Sequence, residues 1–295
     1  MGEKWRGPAG FGPVDIQGLK AAVVAATDVV FGRGGESDLL LDLYRPAGIE
    51  GCVLPTAVFI HGGGWTGGEK EMHRDDAARV AAHGYLAASI NYRKSEEAAF
   101  PAALEDCKCA VRWLRAHAGE CCADPDRIGL VGGSAGAHLA AMVALTPGQF
   151  EGGGGWDAFS SAVRCAACYC GPFDLTAEYI PDVVAVVDQF VRPAGPEDRR
   201  AARLRASPMA YVAPGAPPFL LVHGERDDVV PIEESERFAS ALSEAGVPVE
   251  FIPVRHANHG FGPVDAPATE PDALAIFVAL VDFLDRRLKG AAPRE

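Results

Sequence analysis

Short apolar runs and longer amphipathic stretches alternate along most of this chain, and the two have different periods. Apolar runs of about five residues bounded by turn formers predict buried strands, whereas apolar positions recurring every three or four residues predict helices with one buried face. Residues 27–31 and 39–44 read as two strands joined through the turn-rich Gly32-Arg-Gly-Gly35. Residues 56–60 form a third, followed by the glycine-rich loop His61-Gly-Gly-Gly-Trp65. Residues 72–83 predict a helix that Gly84 ends, and residues 85–90 another strand. Pro101 opens the next helix at its first position, with Leu104, Cys107, Val111 and Leu114 on the buried side.

Residues 128–131 predict a buried strand that runs into Gly132-Gly-Ser134-Ala-Gly136 and then a helix over 137–145. After a flexible loop at residues 152–155 come strands over 163–169, 219–223 and 249–254, with a helix over 232–245 between the last two. A final helix starts at Pro271 and turns Leu274, Phe277, Val281, Leu284 and Leu288 inward. Strands alternating with helices predict an α/β fold, a mostly parallel, doubly wound sheet with helices on both faces. Residues 175–215, rich in prolines and short helical pieces, predict a short helical cap insertion over the sheet edge. Residues 1–26 are expected to be an N-terminal arm or partial cap, residues 27–290 one domain, and residues 291–295 a flexible tail.

Composition narrows the picture. With 295 residues, 48% of them apolar, the chain can bury a full core, and its net charge of −13 disfavours nucleic acid and anionic membrane surfaces as partners. It shows no signal-peptide pattern and no apolar run long enough for a bilayer, so a soluble, cytoplasmic protein is expected, with a homo-oligomer left open. Cys165-x-x-Cys168-x-Cys170 invites a zinc reading, but no Cys or His pair follows at finger spacing, so the expectation is no metal and two small strand hydrophobes. A disulfide between Cys107 or Cys109 and the Cys121-Cys122 pair is not expected.

The candidate chemistry centres on Ser134. A G-x-S-x-G pentapeptide alone is weak, but strand, sharp turn and helix around it make the context of a nucleophile elbow. Only glycines at 132 and 136 would let that strand and helix approach closely. In a doubly wound sheet, sites collect beyond the carboxyl ends of the strands. After residues 219–223 comes Gly224-Glu-Arg-Asp227-Asp228, and after residues 249–254 comes His256-Ala-Asn-His259-Gly-Phe261. A serine hydroxyl needs a histidine to take its proton and a carboxylate to fix the histidine's tautomer, and Ser, Asp, His is the α/β-hydrolase chain order. Oxyanion donors would come from Ala135 and from backbone amides within Gly62-Gly63-Gly64.

These motifs, together with Asn91-Tyr-Arg93, Phe100-Pro-Ala102, Asp124-Pro-Asp-Arg-Ile128, Val230-Pro231 and His259-Gly-Phe261, resemble the α/β-hydrolase superfamily. More narrowly, the chain is similar to esterases carrying His-Gly-Gly-Gly-Trp, the bacterial feruloyl-esterase-like group related to hormone-sensitive-lipase-like carboxylesterases. The similarity runs from about Val29 to Leu288. One departure is Ala137, where that family usually has a second glycine, and tighter helix packing is expected there. The resemblance implies Ser134 as nucleophile, Asp227 rather than Asp228 as orienter, and His259 rather than His256 as base. It implies Gly63, Gly64 and Ala135 as oxyanion donors, and a small-molecule ester as substrate without a cofactor. His61 is expected to shape its loop, and His138 and His223 to be structural. Trp65, Phe173, Tyr169 and the face of Ile180, Val183, Val184 and Val187 serve equally well as acyl-pocket lining or as core. The expected reaction is hydrolysis of short-chain carboxylic esters through an acyl-enzyme. Arylformamidase, peptidase, acetyl-xylan esterase or feruloyl esterase activity on the same triad, and a catalytically dead ligand-binding relative, are the alternatives.

Overall fold

The computed structural model of the protein describes residues 12–13, 23–49, 51–193, 195 and 198–290. Its strands are β1 (Gly12–Pro13), β2 (Val23–Gly34), β3 (Ser37–Pro46), β4 (Leu54–Ile60), β5 (Leu86–Ile90), β6 (Ala123–Gly133), β7 (Cys165–Tyr169), β8 (Phe219–Gly224) and β9 (Val249–Val254). They form one sheet in the order β1-β2-β3-β5-β4-β6-β7-β8-β9. The pairs from β1 to β5 are antiparallel, and those from β5 through β4 to β9 are parallel. The parallel part points all its carboxyl ends to one edge, with β6 in its interior.

The helices are α1 (Arg74–Ala82), α2 (Ala102–Ala116), α3 (Ala118–Cys121), α4 (Ala135–Leu145), α5 (Pro181–Val191), α6 (Arg199–Arg205), α7 (Glu233–Glu244) and α8 (Ala273–Leu284). Period-two alternation in the strands sorts them between two cores. Val58, Ile60, Ile128 and Leu130 face α2, α4 and α7, while Ala57, Phe59, Val131 and Val222 face α1 and α8. Both faces of the parallel strands are therefore buried, as their near-continuous apolar runs require. Among the described residues no helix is long and apolar enough to cross a membrane, and all eight cysteines are free.

Several expectations need correcting. Strand β2 begins at Val23, so residues 23–26 belong to the sheet and not to an arm. A register shift between Ala26 and Val29, where Asp28 takes a φ of 57°, breaks the period of two and hides this part of the strand from a reading of periodicity. Gly12–Pro13 pairs with β2 at the outer edge of the sheet; the rest of residues 1–22 and the expected tail at 291–295 lie outside the described residues. Pro101 occupies the N-cap of α2, one position earlier than expected. The loop at 152–155 is tethered: Gly154 O accepts from Arg33 N at 3.3 Å, and Gly155 O from Arg112 Nε at 3.1 Å.

The last helix also differs. Asp272 caps α8 by accepting from Ala275 N at 2.8 Å, so the helix starts two residues after Pro271. Leu274, expected inside, is 70% exposed, and the buried stripe is Ile276, Leu280, Phe283 and Leu284. Nearly every residue of α8 is apolar, so periodicity could not set its phase. Val281, Leu284 and Leu288 are buried as expected.

Candidate active site

Ser134 stands at the junction of β6 and α4, where strand becomes helix with no intervening loop. Its φ of 53° and ψ of −120° match the first central position of a type II′ turn, which favours glycine. The close approach that forces this turn is written in its flanking glycines. A Cβ on Gly132 would lie 2.3 Å from Gly136 O, and one on Gly136 would lie 2.0 Å from Ile60 O and 2.6 Å from His61 O. The serine amide donates to Tyr169 O at 2.8 Å, and its carbonyl accepts from His138 N at 3.1 Å. The side chain is thereby left free at the carboxyl edge. Ala137, at the departure from the family pattern, is fully buried against Gly171.

Asp227 follows β8 and His259 follows β9, and both converge on Ser134. His259 Nε2 lies 2.9 Å from Ser134 Oγ, and its Nδ1 lies 2.7 Å from Asp227 Oδ2. An ionised carboxylate only accepts, so Nδ1 carries the proton and Nε2 is free to accept from the hydroxyl. Asp227 Oδ1 accepts the amides of Val229 and Val230, both at 2.9 Å. Its Oδ2 also lies 3.1 Å from Nε2 of the buried His223. That nitrogen faces Val230 O at 2.9 Å as well, which makes it a donor, while Nδ1 accepts from the Ser235 hydroxyl at 2.7 Å. Burial alone would raise the Asp227 carboxyl, yet hydrogen bonds from His223, His259 and the Val229 amide hold it well below the usual range. Burial would likewise lower His259, but Asp227 and Cys170 beside it together outweigh this and push it above its ordinary value. Asp228 and Glu225 are exposed. The His256 ring makes no hydrogen bond to Ser134 or Asp227 among the described residues.

The glycine loop lies against the serine from the other side. A Cβ on Gly62 would sit 2.9 Å from Gly133 O and 3.3 Å from Ser134 Cβ. Gly63, with φ of 108°, turns the loop so that its carbonyl accepts Thr66 N at 3.1 Å and Gly67 N at 2.9 Å. The amides of Gly63, Gly64 and Ala135 donate to no protein acceptor among the described residues, and all three residues line the cavity above Ser134. His61 fastens the base of the loop. Its Nδ1 lies 2.7 Å from Gly62 O, its Nε2 takes a hydrogen bond from Lys94 Nζ at 2.9 Å, and its ring stacks on Tyr92 at 4.2 Å. The Tyr92 hydroxyl donates to His61 O at 3.0 Å. Burial first, and then the Lys94 charge, push His61 down to about 3, so it stays neutral.

The cavity has a volume of about 870 Å³, within the range of ordinary ligand pockets. Ile180, Val183 and Val186, and Met72, Ile276, Phe277 and Leu280, are among the residues that line it. Helix α5 lies over the glycine loop, with Phe190 stacked on Trp65 at 4.4 Å. Trp65 and Tyr169 line the cavity; Phe173 does not, being fully buried and stacked on Phe238 at 4.2 Å. Val187 is core and Val184 points elsewhere, because α5 presents the 180, 183, 186 stripe instead. His138 is a packing residue that donates from Nε2 to Ala206 O at 2.6 Å. The roles of His223, Tyr92 and Lys94 at the site emerge only in three dimensions, although the motifs Asn91-Tyr-Arg93 and His223-Gly-Glu-Arg-Asp227 mark two of their stretches.

This sheet, with its elbow serine and its Asp and His on later strand ends, defines an α/β-hydrolase. The sequence pattern of the BD-FAE family matches residues 41–242, and the chain belongs to that family. It is 36% identical over 262 residues to Esterase LipQ of Mycobacterium tuberculosis, covering 88% of this chain and 61% of the relative. It is 28% identical over 304 residues to the probable carboxylic ester hydrolase LipM of the same organism, covering 98% of this chain and 70% of the relative. The chain thus spans about three fifths of the length of LipQ. Among solved structures it is similar to a thermophilic esterase, Est2 of Thermogutta terrifontis. That match has a TM-score of 0.76 and 28% identity, and covers 92% of this chain and 94% of the other.

Proposed function

We propose that this chain is a serine carboxylesterase that hydrolyses short-chain esters, with Ser134, His259 and Asp227 as its catalytic triad. The observation that carries the reading is the hydrogen-bonded line from Ser134 Oγ through His259 to Asp227, opening into an apolar cavity rimmed by the glycine loop. In acylation, Ser134 Oγ bonds to the ester carbonyl carbon while its proton passes to His259 Nε2. The carbonyl electron pair moves onto oxygen, where the amides of Gly63, Gly64 and Ala135 receive it. Collapse of that intermediate expels the alcohol, which takes the proton back from Nε2. Water then repeats the sequence with His259 as base, releasing the acid and restoring Ser134. Asp227 keeps the imidazolium oriented throughout and does not take its proton.

The relatives support this reading. Esterase LipQ and the hydrolase LipM carry ester hydrolysis in their names. Est2 has been solved with propionate and with butyrate bound, and also phosphonylated by sarin. The apolar residues that line the cavity with Ser134 suit an ester with an apolar acyl chain or alcohol. The test is hydrolysis of p-nitrophenyl esters of rising chain length, with N-formylkynurenine beside them, by the protein and its Ser134→Ala variant. The expected outcome is turnover of butyrate that the variant loses, together with organophosphonate labelling of Ser134 alone. Preference for the formamide would favour an arylformamidase, and activity surviving in Ser134→Ala would remove the nucleophile assignment.

A further inference from the structure

Cys170 is the member of the Cys165-x-x-Cys168-x-Cys170 cluster that the fold does not absorb. Cys165 and Cys168 are packed in the two opposite cores. Cys170 instead follows the last residue of β7, fixed by its amide donating to Val222 O at 2.9 Å. Its thiol reaches over to the base, with Sγ 3.4 Å from His259 O. As a result Cys170 Sγ, a ring nitrogen of His259 and a carboxylate oxygen of Asp227 all lie within 4.8 Å of one another. Among the described residues no other group of three metal-ligating side chains comes this close.

We propose that these three side chains form a binding site for a soft or borderline divalent cation, Zn²⁺ or Cd²⁺, and that its occupation switches the triad off. One thiolate, one imidazole and one carboxylate are the donors such ions select over Mg²⁺ or Ca²⁺, which prefer all-oxygen sites. Metal–ligand bonds of about 2.0 to 2.3 Å place tetrahedral donors roughly 3.4 to 3.7 Å apart. The His259–Asp227 contact of 2.7 Å must therefore open, and the thiol must close in. His259 is well placed for such a shift, since it sits in a loop and is followed by the exposed Gly260. The three ligands leave one coordination position open toward the cavity.

Binding releases the Cys170 thiol proton to solvent, while the ring proton of His259 leaves Nδ1 for Nε2 as the cation takes its place. Inhibition therefore strengthens as pH rises. A cation on Nδ1 also takes the place of the Asp227 contact. Nε2 then carries the ring's only proton and has no lone pair to accept from the serine hydroxyl, which abolishes its use as a base. The inhibition rests on the esterase reading; the binding does not.

The experiment titrates the full chain with ZnCl₂ and CdCl₂ in a non-chelating buffer. It follows both p-nitrophenyl butyrate hydrolysis and the ultraviolet charge-transfer band of a cadmium thiolate. Each rate is taken relative to the same protein's metal-free rate, for the parent and for the Cys170→Ser and Cys170→Ala variants, with folding checked by circular dichroism. The expected result is inhibition by Zn²⁺ and Cd²⁺ that EDTA reverses and that Mg²⁺ does not reproduce. Both variants should raise the half-inhibitory concentration at least about tenfold, since even outer-shell changes typically cost 10–100-fold. They should also lose one thiolate's share of the cadmium band. Equal half-inhibitory concentrations in parent and variants, or a band unchanged by the substitutions, overturns the site. If the chain hydrolyses no ester but the Cys170-dependent band appears, the site stands and the esterase reading falls. If it hydrolyses esters and the band is absent, the esterase reading stands and the site falls.

Discussion

The backbone of Ser134 gives a stability prediction that is separate from chemistry. At φ 53° and ψ −120° a side chain crowds its own backbone, and a conformation of this kind costs of the order of 1–3 kcal/mol for a residue other than glycine. Replacing Ser134 with alanine removes the hydroxyl but keeps the Cβ and the strain. Replacing it with glycine removes both. Each variant equally loses the hydrogen bond to His259, so that contribution cancels between them. Against the relief stands the extra freedom of glycine in the unfolded chain, worth about 0.5–1 kcal/mol. The net expectation is that Ser134→Gly is more stable than Ser134→Ala by about 1 kcal/mol, although both are inactive.

For a domain of this length that difference corresponds to a rise in Tm of roughly 2 °C, small but resolvable. The better assay is urea unfolding followed by fluorescence, comparing midpoints at a common slope. Ser134→Ala matching or exceeding Ser134→Gly would refute the argument that the elbow stores strain. A slope that differs between the variants would point to the unfolded state instead.

Other expectations follow from the same geometry. Because Asp227 and Cys170 together outweigh burial and raise His259 above its ordinary value of 6.5, and only the neutral imidazole is a base, the acid limb of kcat/KM should lie above that pH. Asp227→Asn should move the limb lower and cut kcat by several orders of magnitude, and a limb that stays put would contradict the assignment. Burial pushes His138 down to about 4, and burial with Lys94 pushes His61 to about 3, so the unfolded chain binds these protons first and stability should fall as pH drops from about 6.5 toward 4. His138→Gln, which keeps a donor for Ala206 O, should flatten that decline in urea titrations at several pH values. Gly136→Ala, whose Cβ would lie 2.0 Å from Ile60 O, must push α4 off β4 by about an ångström, lowering kcat on the order of 10²-fold and stability by about 1–3 kcal/mol; wild-type kinetics would show that the contact relaxes at no cost.

What the sequence disclosed and what it hid divide along physical lines. The alternation of strands and helices, the elbow and the order Ser, Asp, His were legible because each is coded locally, by period or by glycine spacing. Gly132 and Gly136 announced a close approach, and the structure shows which carbonyls they approach. Phase was another matter. In α8 nearly every position is apolar, so Leu274 read as core and is not; in α5 the lining stripe fell on Val186 instead of Val184 and Val187. Phe173 offered no local sign that Phe238 on α7 would claim it. His223 was hidden differently: a histidine ending an apolar strand reads as core, and only the return of the chain at Asp227 and Val230 gives its Nε2 an acceptor.

The same contacts show what holds the two halves of the site in register. The elbow and the glycine loop come from different βα units, yet Gly136 at the head of α4 touches the carbonyls of Ile60 and His61, where β4 passes into that loop. Ser134 and the glycine loop therefore share one backbone contact, made without any residue of α5. His61 fixes the loop's departure from that contact, and Tyr92 and Lys94 from the end of β5 hold His61 in turn. Three adjacent parallel strands, β5, β4 and β6, thus set the distance between Ser134 and its loop. Helix α5 meets this unit where Val186 and Phe190 rest on Gly64 and Trp65. Changes in α5 should accordingly alter which ester fits, read as KM and chain-length preference, while leaving the turnover of a small acetate ester near its original rate. A large fall in acetate kcat on trimming Val186 to alanine would show instead that the cap, and not the sheet, positions the loop.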